Sequence, residues 1–201
     1  MKSVLIATKN KGKAKEFEQM FQPLGFEVKT LLDFEEIEDV EENGATFEEN
    51  ATIKAETISK KTGQVVVADD SGLIVDALKG APGIYSARYA GLEKNDEANI
   101  DKVLKELNDT PEAERTARFY CALAVAFPDR ETMTVHGTCE GMILRERRGH
   151  NGFGYDPIFF VKDLGKSMAE LDPEQKNQIS HRANALKNLE KILSSFIEGV
   201  D

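Results

Sequence analysis

Cysteine and histidine are scarce in this sequence of 201 residues, which contains two cysteines and three histidines. The cysteines, Cys121 and Cys139, form no C-x-x-C pair and have no histidine pair nearby, which argues against a zinc site. Long apolar runs are also missing, which excludes a membrane span. Residues 1–8 contain too short an apolar stretch for a signal peptide. We therefore expect a cytoplasmic protein whose thiols are reduced.

Positive charge is outnumbered by negative charge, because 26 lysines and arginines stand against 36 aspartates and glutamates, giving a formal net charge of −10. A strongly acidic chain is a poor general binder of DNA or RNA, whose affinity depends on cationic contacts. We therefore expect no nucleic-acid partner. The same charge would repel a nucleoside triphosphate, so such a substrate would need a local group of lysines, a metal ion, or both.

The remaining composition is that of an ordinary folded protein, with 40% hydrophobic and 31% charged residues. Segments with strand and helix patterns alternate along the chain, which favours an α/β fold. No internal repeat, linker or low-complexity segment is visible, and we predict a single domain over residues 1–201. Strands are predicted at 2–7, 26–30, 64–68, 117–127 and 132–144, and helices at 12–21, 46–61, 96–108 and 180–197.

Two adjacent carboxylates, Asp69 and Asp70, follow the apolar run Val65–Ala68, which is typical of a buried strand. Adjacent buried carboxylates repel each other and are costly to desolvate unless a positive charge holds them. Magnesium is a suitable ion, because hard cations prefer carboxylate oxygens. Glu41 and Glu42 are further candidates, although a solvated loop is the commoner explanation of such an acidic run.

A turn rich in lysine, Thr8–Lys13, joins the first predicted strand to the first predicted helix. Backbone amides and the helix dipole make the start of a helix a candidate anion site. The spacing of glycine and lysine is not that of a Walker A loop. Taken alone, the segment is better explained by a solvated, lysine-rich helix start that Asn10 caps.

Two further segments contain candidate binding residues. In Gly152–Pro157, glycines flank Phe153, whose ring could stack on a nucleobase while Asp156 reads a base edge. Donors near the start of the last predicted helix form the other candidate group: Lys176, His181 and Arg182. The structural alternative for the first segment is a glycine-rich turn with buried aromatics. For Lys176 it is a surface lysine, and for His181 it is a partly buried imidazole.

In this order, the motifs resemble those of the Ham1-type inosine triphosphate pyrophosphatases, also called dITP/XTP pyrophosphatases, over nearly the whole chain. The matching segments are Thr8–Lys13, Thr46–Ala51, Ala68–Leu73, Gly80–Tyr89, Gly152–Pro157 and Ile179–Arg182. The resemblance implies a bacterial, two-lobed α/β protein with a long central mixed sheet flanked by helices and an active-site cleft between the lobes. It also implies a homodimer that hydrolyses ITP, dITP and XTP to the monophosphate and pyrophosphate, which cleanses the nucleotide pool.

The same resemblance implies a role for individual residues. Asp70 would be the general base and, with Glu41, a ligand of Mg²⁺. Glu42 and Asp69 are the alternatives to Glu41 as the second carboxylate ligand. The predicted phosphate contacts are Thr8, Lys9, Asn10, Lys11, Gly12, Lys13 and Ser71. The predicted base contacts are Phe153, Gly154, Tyr155, Asp156, Lys176, His181 and Arg182. Arg88 is a further candidate contact.

These residue types suit hydrolysis between the α- and β-phosphates. Magnesium polarises phosphate oxygens and acidifies bound water, a carboxylate accepts the proton, and lysines offset the charge of the leaving pyrophosphate. A donor such as Lys176 or Arg182 would favour the 6-keto oxygen of hypoxanthine over the 6-amino group of adenine. Each mismatched buried polar group costs about 1–3 kcal/mol. What rejects the 2-amino group of guanine is not visible in the sequence.

Two other functions use similar parts. Phosphatases with a nucleophilic aspartate prefer Asp-x-Asp after the strand, whereas here the acids are adjacent. A receiver-like or nucleotide-sensing module also places adjacent acids after a strand, but it is shorter and gives Phe153 and His181 no role. Release of orthophosphate would favour a phosphatase, and binding of ITP without turnover would favour a sensor.

Overall fold

The computed structural model describes residues 2–34, 37–38 and 40–198, with backbone alone for residue 2 and residues 193–198. Its strands are β1 Lys2–Ile6, β2 Phe26–Thr30, β3 Val66–Val75, β4 Thr116–Ala126, β5 Met133–Ile143, β6 Phe159–Val161 and β7 Lys166–Ser167. Its α-helices are α1 Lys11–Phe21, α2 Phe47–Thr62, α3 Asp96–Glu106, α4 Pro173–Ile179 and α5 His181–Glu198. No helix within these residues is long and apolar enough to cross a membrane.

The strands of the described residues form a sheet in the order β2-β1-β3-β4-β5-β6-β7. β1 pairs in parallel with β2 and with β3, where Leu5 lies opposite Val66 and Ile6 opposite Val67. β6 pairs antiparallel with β5 and with β7. The sheet is therefore mixed, and the predicted α/β class with a long mixed sheet is confirmed.

The described chain divides into two compact units, each with its own apolar cluster. Unit 1 contains the described residues of Met1–Asp70, Cys121–Gly137 and Ala183–Asp201, and unit 2 contains Ser71–Tyr120 and Thr138–Arg182. The cluster of unit 1 includes Phe17, Val67 and Leu123, whereas that of unit 2 includes Ile100 and Phe159. β3, β4 and β5 each have residues in both units. The division into units therefore does not test the predicted single domain over 1–201, which stays a prediction.

The third strand differs from its prediction, because it does not end at the carboxylates. The sequence predicts a strand over 64–68, but β3 continues through Asp69, Asp70, Ser71 and Gly72 to Val75. Gly72 permits a close approach here, since a Cβ at this position would lie 2.4 Å from Ser86 Oγ. Both aspartates therefore lie in regular extended backbone, not in a turn.

Helix α4 was missed by the sequence analysis. Asp172 caps it by accepting a hydrogen bond from the Gln175 amide at 2.8 Å, and the Asp172 amide donates to Gln175 Oε1 at 3.2 Å. Pro173 occupies the first helical position, where its missing N–H costs nothing. These cap signals were available, but seven residues are too few for a clear apolar period.

Candidate active site

The turn after β1 is held by its own side chains. Thr8 Oγ1 accepts a hydrogen bond from the Asn10 amide at 3.2 Å, and Asn10 Oδ1 accepts one from the Lys13 amide at 3.0 Å. Asn10 therefore caps α1, whose first turn, with Gly12, lies at the positive end of the helix dipole. Thr8 is buried, whereas Lys11 is exposed. This arrangement suits an anion, and the phosphate contacts of residues 8–13 stay a prediction.

The side chains of the two aspartates of β3 contact different helices. Asp69 Oδ2 lies 2.9 Å from Lys13 Nζ on α1, while Asp70 Oδ2 accepts a hydrogen bond from Asn50 Nδ2 on α2 at 3.0 Å. Successive side chains of a strand point to opposite faces, which explains the separate partners. Asp69 is 1% exposed and Asp70 is 7% exposed, so both carboxylates lie away from bulk water.

Burial raises the pKa of the Asp70 carboxyl to about 6. The positive charges of Lys13 and Lys54 and the hydrogen bond from Asn50 work to lower this pKa, while the negative charge of Glu42 works to raise it. A carboxyl with such a pKa is mostly ionised at pH 7 and is a better proton acceptor than an ordinary aspartate. Asp70 therefore has the environment of a general base.

Lys54 of α2 connects the acidic segment before that helix to β3. Its Nζ lies 2.5 Å from Glu42 Oε1 and donates a hydrogen bond to the carbonyl oxygen of Asp69 at 2.9 Å. Burial works to lower the pKa of Lys54, but the charges of Asp69, Glu42 and Asp70 raise it above its usual value. Lys54 is therefore a cation held beside the carboxylates.

Sequence reasoning missed Lys54 and Asn50 as functional candidates. The available signal was their spacing, because residues four apart on a helix lie on the same face. Asn50 also stands inside the segment Thr46–Ala51, which carried the family resemblance. The partners of both side chains come from segments far away in the sequence, so the spacing alone did not reveal them.

Of the two neighbouring glutamates, Glu42 is the one whose negative charge acts on the Asp70 carboxyl. Glu42 is half-buried and paired with Lys54, and its charge affects the Asp70 carboxyl. Glu41 is exposed. The geometry therefore favours Glu42 as the companion carboxylate, and the assignment of Glu41 as a metal ligand stays a prediction.

In unit 2, two cations approach the half-buried ring of Phe153. Lys176 Nζ lies 4.8 Å and Arg182 Cζ lies 5.4 Å from the ring centroid, within the range of cation–π attraction. Arg182 Nη2 also donates a hydrogen bond to Ser71 Oγ at 2.8 Å. Four side chains that the sequence predicts to bind substrate are thus brought together.

Asp156 holds this group in place. Its Oδ2 accepts hydrogen bonds from Lys176 Nζ at 2.6 Å and from the Phe153 amide at 3.0 Å. Asp156 and Lys176 are both buried. Gly152 has a φ of +78°, and a Cβ there would lie 1.9 Å from Asp156 Oδ2, so only glycine fits. In this structure Asp156 shapes the loop and fixes Lys176, so its reading of a base edge stays a prediction.

The remaining predicted base contacts lie around the same loop. The Tyr155 hydroxyl donates to the carbonyl oxygen of Ser86 at 2.7 Å and is buried. The Gly154 amide donates to Asp96 Oδ2 at 2.9 Å. The ring of His181 stacks on Phe119, with 4.9 Å between centroids. Tyr155 and His181 therefore have clear structural contacts, and their contacts with a base stay predictions.

Two groups of side chains emerge, one in each unit. The carboxylate set in unit 1 consists of Lys13, Glu42, Asn50, Lys54, Asp69 and Asp70. The ring set in unit 2 consists of Ser71, Phe153, Asp156, Lys176 and Arg182. The two sets are neighbours in the chain, because Ser71 directly follows Asp70.

The fold and these sets define the class: an α/β protein with a capped helix start suited to anions and a buried carboxylate of raised pKa beside lysines. The Ham1 family model matches residues 4–192 of the chain. The chain belongs to the Ham1 family.

Close relatives cover almost the whole chain. A dITP/XTP pyrophosphatase of Bacillus cereus is 59% identical over 201 residues, covering 99% of this chain and 98% of that protein. One of Bacillus licheniformis is 61% identical over 193 residues, covering 96% of this chain and 98% of that protein. Among solved structures, the Staphylococcus aureus Ham1 protein is 48% identical with a TM-score of 0.84, covering 100% of both chains. A HAM1 protein from Coxiella burnetii is 43% identical with a TM-score of 0.86, covering 97% of this chain and 100% of the other.

Proposed function

We propose that this chain hydrolyses dITP, XTP and ITP to the nucleoside monophosphate and pyrophosphate. The family and the names of its relatives support this substrate class. The observation that carries the proposal is the environment of Asp70, a buried carboxylate of raised pKa with lysines beside it. This combination suits a general base that acts next to a polyanion.

In this proposal Asp70 accepts the proton of the attacking water. The oxygen of that water bonds to the α-phosphorus, and the bond to the oxygen that bridges to the β-phosphate breaks. Pyrophosphate leaves with the bonding electrons and gains negative charge. Asn50 donates to one oxygen of Asp70, which leaves the other oxygen to receive the proton.

In this proposal the phosphates of the substrate bind the turn of residues 8–13 and the hydroxyl of Ser71. The amides at the start of α1 and the ammonium groups of Lys9, Lys11 and Lys13 offset the charge that develops on the leaving pyrophosphate. Ser71 places a hydroxyl next to Asp70 in the chain. This local cationic group meets the requirement set by the net charge of −10.

The base binds the ring set, where Phe153 supplies a stacking face. Lys176 and Arg182 donate to keto oxygens, which favours hypoxanthine and xanthine over adenine. Asp156 keeps the Lys176 ammonium at 2.6 Å, so this donor is positioned before substrate arrives. Gly154, Tyr155 and His181 complete the contacts with the base in this proposal.

Magnesium fits the chemistry of the carboxylate set. Among the described residues, no three histidine, cysteine, aspartate or glutamate side chains are grouped so as to hold a metal ion by themselves. Magnesium is usually held by one or two carboxylates together with substrate phosphates and water. Asp70 with Glu41, or with Glu42 as the geometry favours, would hold it, and when bound it would polarise the phosphate oxygens.

The test is a panel of nucleoside triphosphates with pyrophosphate and orthophosphate measured separately, with and without magnesium. We expect magnesium-dependent release of pyrophosphate from dITP, XTP and ITP, and much poorer turnover of ATP and GTP. Orthophosphate as the product would indicate a phosphatase, and binding of ITP without turnover would indicate a sensor. Either result would refute the proposal. The homodimer and the cytoplasmic location stay predictions.

A further inference from the structure

Asn50 is a buried asparagine whose side-chain amide bridges two segments. It is 1% exposed. Its Oδ1 accepts a hydrogen bond from the Gly44 amide at 2.8 Å, and its Nδ2 donates to Asp70 Oδ2 at 3.0 Å. A backbone amide only donates, so Oδ1 must face Gly44 and Nδ2 must face Asp70. The orientation of the amide is therefore fixed by the network.

Lys54, one helical turn along α2, makes a parallel connection. It joins Glu42 to the carbonyl oxygen of Asp69, as Asn50 joins Gly44 to Asp70. Gly44 is also closely packed, because a Cβ there would lie 2.7 Å from Glu49 Cβ and 2.8 Å from Asn50 Oδ1. Two side chains of one helix face thus tie residues 42–44 to the central residues of β3.

We propose that Asn50 is a positioning residue for the reaction: it holds Asp70 Oδ2 and couples the conformation of residues 42–44 to the general base. The proposal rests on the hydrolytic function proposed above. Since Asn50 occupies Oδ2, it directs the other oxygen of Asp70 toward the attacking water. Losing this bond should impair the chemical step while leaving substrate binding almost intact.

Two substitutions separate the two bonds of Asn50. N50D keeps an acceptor for the Gly44 amide but replaces the donor to Asp70 with a carboxylate oxygen that repels it, whereas N50A removes both bonds without adding charge. At saturating magnesium we expect each variant to lower kcat by about tenfold to a hundredfold, as for a lost hydrogen bond to a charged group. KM should change little. A normal kcat in N50D would overturn the proposal, since the Gly44 bond alone would then matter.

Asn99 of α3 supplies a matched control. It is also buried, accepts a hydrogen bond from the Ala90 amide at 2.7 Å and donates to the carbonyl oxygen of Ala87 at 3.1 Å. N99D and N99A therefore alter comparable bonds, with a backbone carbonyl in place of the carboxylate, in a loop that lacks the general base. We expect them to lower the melting temperature without lowering kcat of the folded protein. Equal losses of kcat in the Asn50 and Asn99 variants would show a merely structural role.

Nuclear magnetic resonance tests the bond without using activity. The side-chain NH₂ signals of Asn50, assigned by their absence in N50D, should be protected from hydrogen exchange in the wild-type protein. D70A should remove that protection, and N99D should not. Unprotected signals in the wild type would refute the coupling. An inactive wild type with protected signals would instead refute the proposed hydrolysis.

Discussion

Asp70 is an ionisable group kept inside the fold at a cost in stability. Burial is the largest influence on its carboxyl and raises its pKa, and the nearby lysines only partly oppose this. Asp69, its neighbour, is paired directly with Lys13. Adjacent acids of identical type therefore differ in their energetics, because their side chains contact different helices.

D70N should abolish turnover and stabilise the metal-free protein at pH 8. The folded pKa of about 6 exceeds the ordinary 3.8, so protonation favours folding. The ionised carboxylate therefore lowers stability above pH 6, and this penalty fades as the pH falls toward 4. The shift corresponds to roughly 3 kcal/mol for the penalty that the neutral amide avoids. Urea unfolding of D70N and wild type at pH 8 and pH 4.5 measures the difference.

D69N is the contrasting control for this prediction. It removes a carboxylate from the ion pair with Lys13, so it should destabilise the protein at pH 8. If D70N were less stable than the wild type at pH 8, the burial cost assigned to Asp70 would be wrong. If D70N kept wild-type turnover, its role as the general base would be wrong.

At the scale of elements, the loop 152–156 and helix α4 act together, because hydrogen bonds to Asp156 join them. Asp156 receives hydrogen bonds from its own loop and from Lys176 of α4. The loop therefore positions both the stacking ring of Phe153 and the donor beside it. Gly152 is required for this geometry, because its left-handed φ and the closeness of Asp156 both exclude a side chain.

G152A should raise KM for dITP by about tenfold or more, because displacing Asp156 breaks two charge-assisted hydrogen bonds. The effect on kcat should be smaller, since the carboxylate set lies on other elements. G165A is the matched control: Gly165 also has a positive φ, +65°, but a Cβ there has nothing within 4 Å. Steady-state kinetics of both variants check this, and equal changes in KM would contradict the assigned role of the loop.

At the scale of the molecule, the cysteines report on the two units. Cys121 belongs to the apolar cluster of unit 1 and Cys139 to that of unit 2. Both are buried thiols. Burial, with the charges of Glu140 and Asp156, raises the pKa of the Cys139 thiol to about 11. Low exposure and a raised pKa both suppress reaction with thiol reagents.

We expect neither thiol to react with a disulfide reagent at pH 8 in the folded protein, and both to react on unfolding. Since β3, β4 and β5 have residues in both units, labelling in increasing urea should expose Cys121 and Cys139 in one transition. Single variants C121A and C139A assign the two signals. Two well-separated transitions would contradict the prediction of a single domain.

Much of the fold was predictable from local patterns. The bounds of β2, the caps of α1 and α2, and the long strands β4 and β5 follow from short-range periodicity and capping residues. The β3 extension was not predictable, because Ser71 and Gly72 are turn residues by local preference. The extended strand packs closely against Ser86, a distant residue that accepts a hydrogen bond from the Leu73 amide at 2.9 Å.

The sequence predicted several residues of the two sets as candidates, but it predicted neither Asn50 nor Lys54 and not the arrangement of the side chains. Local sequence was enough to predict that Asp69 and Asp70 follow an apolar strand and need positive charge, because desolvation of adjacent carboxylates is a local cost. The folded chain alone shows that Lys13 and Lys54 supply that charge and that Asn50 holds Asp70. It also pairs Glu42 with Lys54 of this group, whereas Glu41 is exposed. The reason is that partners from distant segments are chosen by the packing of helices on the sheet, which local patterns do not contain.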